Sequence, residues 1–176
     1  MISPDPREGI DSTKPGDDTR TGYVTLVGRP NAGKSTLMNA LIGERLSIVT
    51  PKAQTTWQRV TGLLTTDAAQ MIFLDTPGLL EPRDLLQRSM LAAAKDALAE
   101  ADVVLLVLDG AQGISPSNLA GIAETIREAP SVPILAAINK MDLMKKGTGE
   151  ELSRWVSQEL GGEPFFVCAQ DTRGVP

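Results

Sequence analysis

Histidine is absent from all 176 residues, and with it the commonest general base. Cysteine occurs once, at Cys168, which excludes an internal disulfide. Aromatic residues make up only 3%, so the core has to be built from the Leu, Ile, Val and Ala that dominate an apolar content of 41%. The longest strongly apolar run, Val103 to Leu108, is far too short to span a bilayer and reads as a central strand. No positively charged, apolar leader opens the sequence, so export is not expected and a cytoplasmic location is. The net charge of −5 argues against broad phosphate-backbone binding by this chain alone, because such binding needs a concentrated basic face. Lys145 and Lys146 make only a small patch, read as the solvated end of a loop.

What is present begins with Gly28-Arg29-Pro30-Asn31-Ala32-Gly33-Lys34-Ser35-Thr36, set between an apolar run, Tyr23 to Val27, and a helix-like one, Leu37 to Ile42. The pattern predicts strand, phosphate loop, helix. Backbone N–H groups of such a loop wrap an anionic phosphate, Lys34 neutralises the β and γ phosphates, and the Ser35 hydroxyl can ligate magnesium. Gly28 and Gly33 allow the tight turn, and Asn31, Ala32 and Thr36 complete the candidate phosphate-binding set.

Two later motifs indicate which nucleotide and what becomes of it. Asp75-Thr76-Pro77-Gly78 follows the buried-strand pattern Met71 to Leu74, which puts a carboxylate at the carboxyl end of a strand, where nucleotides sit in open α/β sheets. Asp75 is a candidate to hold magnesium through water, and Gly78 to give its N–H to the γ-phosphate. Asn139-Lys140-Met141-Asp142 follows the apolar run Ile134 to Ile138. The Asp142 carboxylate can accept both the ring N–H and the exocyclic amine of guanine, whereas adenine has no ring N–H to offer. Asn139 is expected at the opposite edge of the base, tying loops together, and the Lys140 stem along its face. Taken singly, the first motif is an ordinary turn and the second a solvated loop; order and spacing remove the ambiguity.

Together they resemble a GTPase of the translation-factor-related class. The segment Leu46 to Thr56, with Lys52-Ala53-Gln54-Thr55-Thr56, resembles the effector segment of the Era family of bacterial ribosome-assembly GTPases, as do Asp75 to Leu79 and Glu81-Pro82. The resemblance runs from about Tyr23 to Gly174. It implies that Thr56, or its neighbour Thr55, closes over magnesium and the γ-phosphate in the GTP state. It also implies that the backbone N–H of Ala169, after Cys168, meets the guanine carbonyl. The chain departs from the family at Trp57, where Arg is usual, and at Cys168, where Ser is.

The position of the water-orienting glutamine of Ras-like enzymes holds Leu79. The resemblance therefore implies slow hydrolysis carried by magnesium, Lys34 and backbone donors, and accelerated by potassium held through Asn31. Arg29 and Arg59 read as solvated rather than as internal arginine fingers. The family's partners are 16S ribosomal RNA and the small ribosomal subunit, with some peripheral association at the inner face of the plasma membrane. Its RNA-binding KH domain and a further helix covering the sheet are not expected in this chain, so one flank of the sheet should be uncovered. A nucleotide-binding module without significant turnover is the alternative; an ATPase or small-molecule kinase is disfavoured by Asp142.

The chain reads as one domain, residues 22–176, after a disordered tail of residues 1–21. Expected elements are strands at 23–27, 58–65, 70–74, 102–108, 132–138 and 165–167, and helices at 37–42, 85–99, 117–127 and 150–160. Their alternation implies an α/β fold with a mostly parallel sheet and helices on both faces, and the resemblance implies that this is the three-layer P-loop NTPase fold with one antiparallel edge strand. Met71, Met90 and Trp155 are expected in the core.

Overall fold

Strand-length runs rich in Val, Leu and Ile alternate with helix-forming segments, and in the computed structural model they assemble into one six-stranded sheet. The structure describes residues 20–43, 60–79, 84–113, 115, 119, 122–124, 126 and 131–176. The elements are β1 (Arg20–Val27), α1 (Lys34–Ile42), β2 (Val60–Thr65), β3 (Ala69–Asp75), α2 (Leu85–Ala99), β4 (Val103–Asp109), β5 (Ile134–Asn139), α3 (Thr148–Leu160) and β6 (Phe165–Phe166). Between β4 and β5, Leu119, Ile122 to Glu124 and Ile126 are helical, and a 3-10 turn, Met141–Leu143, follows β5.

The strand order is β2-β3-β1-β4-β5-β6. Among the described strands only the β2–β3 pair is antiparallel, so the expected edge strand is found. One face of the sheet packs Val27, Val104, Leu106 and Ile138 against Ala94 and Leu98 of α2, Leu119, Ile122 and Ile126, and Leu152 and Val156 of α3. The other packs Leu26, Phe73, Val107 and Ala137 against Leu37 and Met38 of α1. Each fully buried Val or Leu contributes roughly 1.5–3 kcal/mol, enough to hold the layers without aromatic bulk. Met90 is buried, while Met71 and Trp155 are partly buried against the two clusters.

Two features differ from the sequence reading. β1 starts at Arg20, inside the segment expected as tail, because Arg20 and Thr21 pair with Ala69 and Gln70 in the parallel ladder. Helix α1 starts at Lys34 rather than Leu37, since the phosphate loop closes straight into the first turn with Leu37 N–H on Gly33 O at 2.8 Å. On the α1 face, Leu135 and Phe165 are exposed, and Phe165 lies across from Ala137 in register. Among the described residues no helix is long and apolar enough to cross a membrane.

Candidate nucleotide site

The carboxyl ends of β1, β3, β4 and β5 lie side by side in the sheet, and those of β1, β3 and β5 each carry one of the sequence motifs. After β1 the backbone turns through Asn31 at φ 63° and Gly33 at φ 95°, both left-handed, before entering α1. A Cβ at Gly33 would overlap Asn139 Nδ2, so glycine is required there by packing as well as by backbone angle. Gly28 and Ala32 are buried, Asn31 is exposed, and Ser35 and Thr36 are half-buried in the first turn of α1.

Lys34 is buried at 6% exposure, with Nζ donating to Gly28 O at 3.2 Å and Arg29 O at 3.1 Å. Burial lowers its pKa from 10.5 to about 8, against the opposing pull of the Asp75 carboxylate. The side chain is thus a cation held in a dry place without full compensation, which is what an incoming phosphate would supply.

Ser35 Oγ donates to Asp75 Oδ2 at 2.5 Å, joining the phosphate loop to the end of β3. A hydroxyl and a carboxylate in contact are hard oxygen donors of the kind magnesium takes, and in that respect the residues fit the ion. Among the described residues no group of three or more cysteine or acidic side chains could hold a metal unaided. The loop after Asp75 is pinned to the phosphate loop. Thr76 Oγ1 donates to Leu26 O at 2.7 Å, Leu79 N–H donates to Gly28 O at 3.0 Å, and a Cβ at Gly78 would overlap Pro30 N.

Asn139 is buried at 3% exposure and links two loops: Nδ2 donates to Ala32 O at 2.9 Å, and Oδ1 accepts from Ala169 N–H at 3.0 Å. Asp142 is exposed in the 3-10 turn and accepts from Cys168 Sγ at 3.1 Å. Burial and that hydrogen bond raise the Cys168 pKa, so the thiol stays a neutral donor to the carboxylate. The 168–173 loop is closed by Cys168 N–H on Arg173 O at 2.8 Å.

Lys140 is where the structure adds to the sequence reading. Its Nζ donates to Asn31 O at 2.5 Å and pairs with Asp109 Oδ2 at 2.7 Å. Asp109, at the end of β4, was not among the sequence candidates; neither was Thr76 given a role. All the candidates except Thr56 are therefore brought to one end of the sheet. Thr56, its neighbour Thr55, Trp57 and Arg59 lie outside the described residues.

The family model described as 50S ribosome-binding GTPase matches residues 23–140. The chain belongs to the 50S ribosome-binding GTPase family. Within it, the chain is Era-like. GTPase Era of Dinoroseobacter shibae is 42% identical over 164 residues, covering 89% of this chain and 52% of the relative. A structure of Era in complex with MgGDPNP and nucleotides 1506–1542 of 16S ribosomal RNA superposes with a TM-score of 0.78 at 39% identity, covering 88% of this chain and 53% of the other. A variant of Aquifex aeolicus Era bound to GDP and AlF4− gives a TM-score of 0.76 at 39% identity, covering 86% and 52%. The chain thus spans about half the length of the Era proteins it matches.

Proposed function

We propose that this chain is the nucleotide switch of an Era-like GTPase, binding GTP and GDP with magnesium and slowly hydrolysing GTP. The observation that carries the reading is the Asn139 side chain. By joining Ala32 in the phosphate loop to Ala169 in the last loop, it sets the phosphate-binding and base-reading parts at a fixed separation.

In this reading the N–H groups of residues 31–36 surround the β-phosphate, and Lys34 exchanges its carbonyl contacts for phosphate oxygens. Ser35 and Asp75, together with Thr56, are the residues that would hold magnesium. The ion would supply Lewis-acid stabilisation of charge on the transferring phosphoryl group. Gly78 donates its N–H to the γ-phosphate. Asp142 accepts from the guanine ring N–H and amine, and Ala169 N–H shares its bond between Asn139 and the guanine carbonyl. Asn31, exposed beside the phosphates, is the residue through which potassium would accelerate hydrolysis. Turnover is slow because Leu79, which stands where a water-orienting glutamine would, is apolar and buried.

The Era structure solved with a 16S ribosomal RNA segment supports placing the switch in maturation of the small ribosomal subunit. The site of action is then the cytoplasm, with peripheral contact to the inner face of the plasma membrane. This acidic chain on its own is not proposed to hold RNA tightly. A second reading, nucleotide binding without turnover, is favoured by Leu79, whose N–H is already committed to Gly28 O. Phosphate release under multiple-turnover conditions separates the two. Several phosphates released per chain support hydrolysis; none, with GTP bound, supports the second reading.

A further inference from the structure

Asp109 uses its two carboxylate oxygens for different tasks. Oδ1 accepts from Ala111 N–H at 2.9 Å and closes the turn after β4. Oδ2 pairs with Lys140 Nζ at 2.7 Å, although the turn makes no demand for a cation. The carboxylate is 6% exposed and the lysine side chain 29%, so the pair is shielded on one side and retains a strong Coulomb attraction. The same ammonium donates to Asn31 O, and Asn31 stands at φ 63°. One side chain therefore connects the end of β4, the end of β5 and the phosphate loop.

The strand ends hold this junction in register. Asp109 is the ladder partner of Asn139, Gly110 N–H donates to Asn139 O at 2.8 Å, and Lys140 leaves the strand at φ 61°. These constraints place the Lys140 backbone but not its five-atom side chain, which has solvent on one side. Among the described residues, Asp109 Oδ2 and Asn31 O are what draw the ammonium inward.

We infer that Asp109 is a positioning residue for guanine nucleotide binding: its carboxylate holds Lys140 across the site, so that the lysine stem lies where the base is read and its ammonium fastens the phosphate loop at Asn31. The inference rests on the proposed guanine site and adds to it a residue that touches neither base nor phosphate. Without the Asp109 charge, the Lys140 ammonium turns to water, Asn31 O loses its donor, and the phosphate loop loses one of its ties to the base-reading part while the Asn139 link remains.

The test is a double-mutant cycle on release of a fluorescent GDP analogue chased with excess GDP, using Asp109→Asn, Lys140→Met and the pair. Asparagine keeps an acceptor for Ala111 N–H, so the turn is preserved; Asp109→Ser, whose hydroxyl can also accept, serves if asparagine does not fold. Asp109→Asn is expected to speed release about tenfold, the order associated with loss of one charge-assisted hydrogen bond. In the Lys140→Met background it should change release less than about twofold, because the group through which Asp109 acts is gone. A purely structural role for Asp109 would give additive effects. Additive effects, or unchanged release in Asp109→Asn, overturn the inference while the guanine site stands. A wild-type chain that prefers ADP to GDP overturns the site itself and the inference with it.

Discussion

Lys34 gives the most demanding prediction, because the residue that binds phosphate should weaken the nucleotide-free fold. A fall in pKa from 10.5 to about 8 corresponds to about 3 kcal/mol that the buried ammonium costs at neutral pH. The folded pKa lies below the unfolded one, so the unfolded chain binds the extra proton and stability rises with pH between 8 and 10.5. The cost is complete below pH 8 and gone above 10.5. Lys34→Met keeps the length of the side chain and removes the charge. Neither carbonyl that Nζ touches is orphaned, since Gly28 O still accepts from Leu79 N–H and Arg29 O from Ala32 N–H. With lost hydrogen bonds offsetting part of the gain, the variant should be about 2 kcal/mol more stable at pH 7. For a chain of this size that is a melting point about 4–8 °C higher. The assay is thermal unfolding of nucleotide-free protein, wild type and variant, from pH 7 to 10. The gain should shrink to under about half by pH 9.5, and nucleotide binding should be lost throughout. A variant that melts at or below the wild type at pH 7, or a gain that does not vary with pH, would refute the reasoning.

Asp142→Asn should weaken GDP at least about 100-fold, because an amide cannot accept two donors as a carboxylate does, while xanthosine diphosphate, which carries a carbonyl in place of the amine, should gain; competition binding measures both. Replacing sodium by potassium should raise the GTP turnover rate in wild type and not in Asn31→Ala, and equal rates in the two salts would remove potassium from the mechanism. A longer chain that includes the segment following Gly174 in its Era relatives should unfold at a higher denaturant midpoint, with exposed Leu135 and Phe165 becoming protected from solvent; equal midpoints would show that this face needs no cover.

How much of this was legible depended on whether chemistry is written in residue type or in tertiary position. The phosphate loop was readable because its work is done by backbone, which only glycine at position 33 permits, and by a lysine whose neighbours announce it. Alternating apolar runs pointed to a mostly parallel sheet but not to its strand order, and α2 was placed to the residue by its apolar spacing of three and four; the cap by Asp84, which accepts from Gln87 N–H at 2.7 Å, went unread. β1 was read short because Arg20 to Gly22 are not apolar; their strand state comes from the ladder with β3. Asp109 was missed because no motif marks it. It is one of 22 acidic residues, it ends an ordinary apolar strand, and its partner Lys140 lies 31 positions away, joined to it only by the register of β4 and β5. A search for carboxylates at the ends of central strands would have raised it.

Competition for a fluorescent GDP analogue bound to the purified chain in magnesium tests the central claim most directly. GDP and GTP should displace the analogue at concentrations at which ATP does not, since only guanine presents two donors to Asp142. Displacement by ATP as readily as by GTP would contradict the account, leaving a phosphate-binding loop without a guanine-reading site.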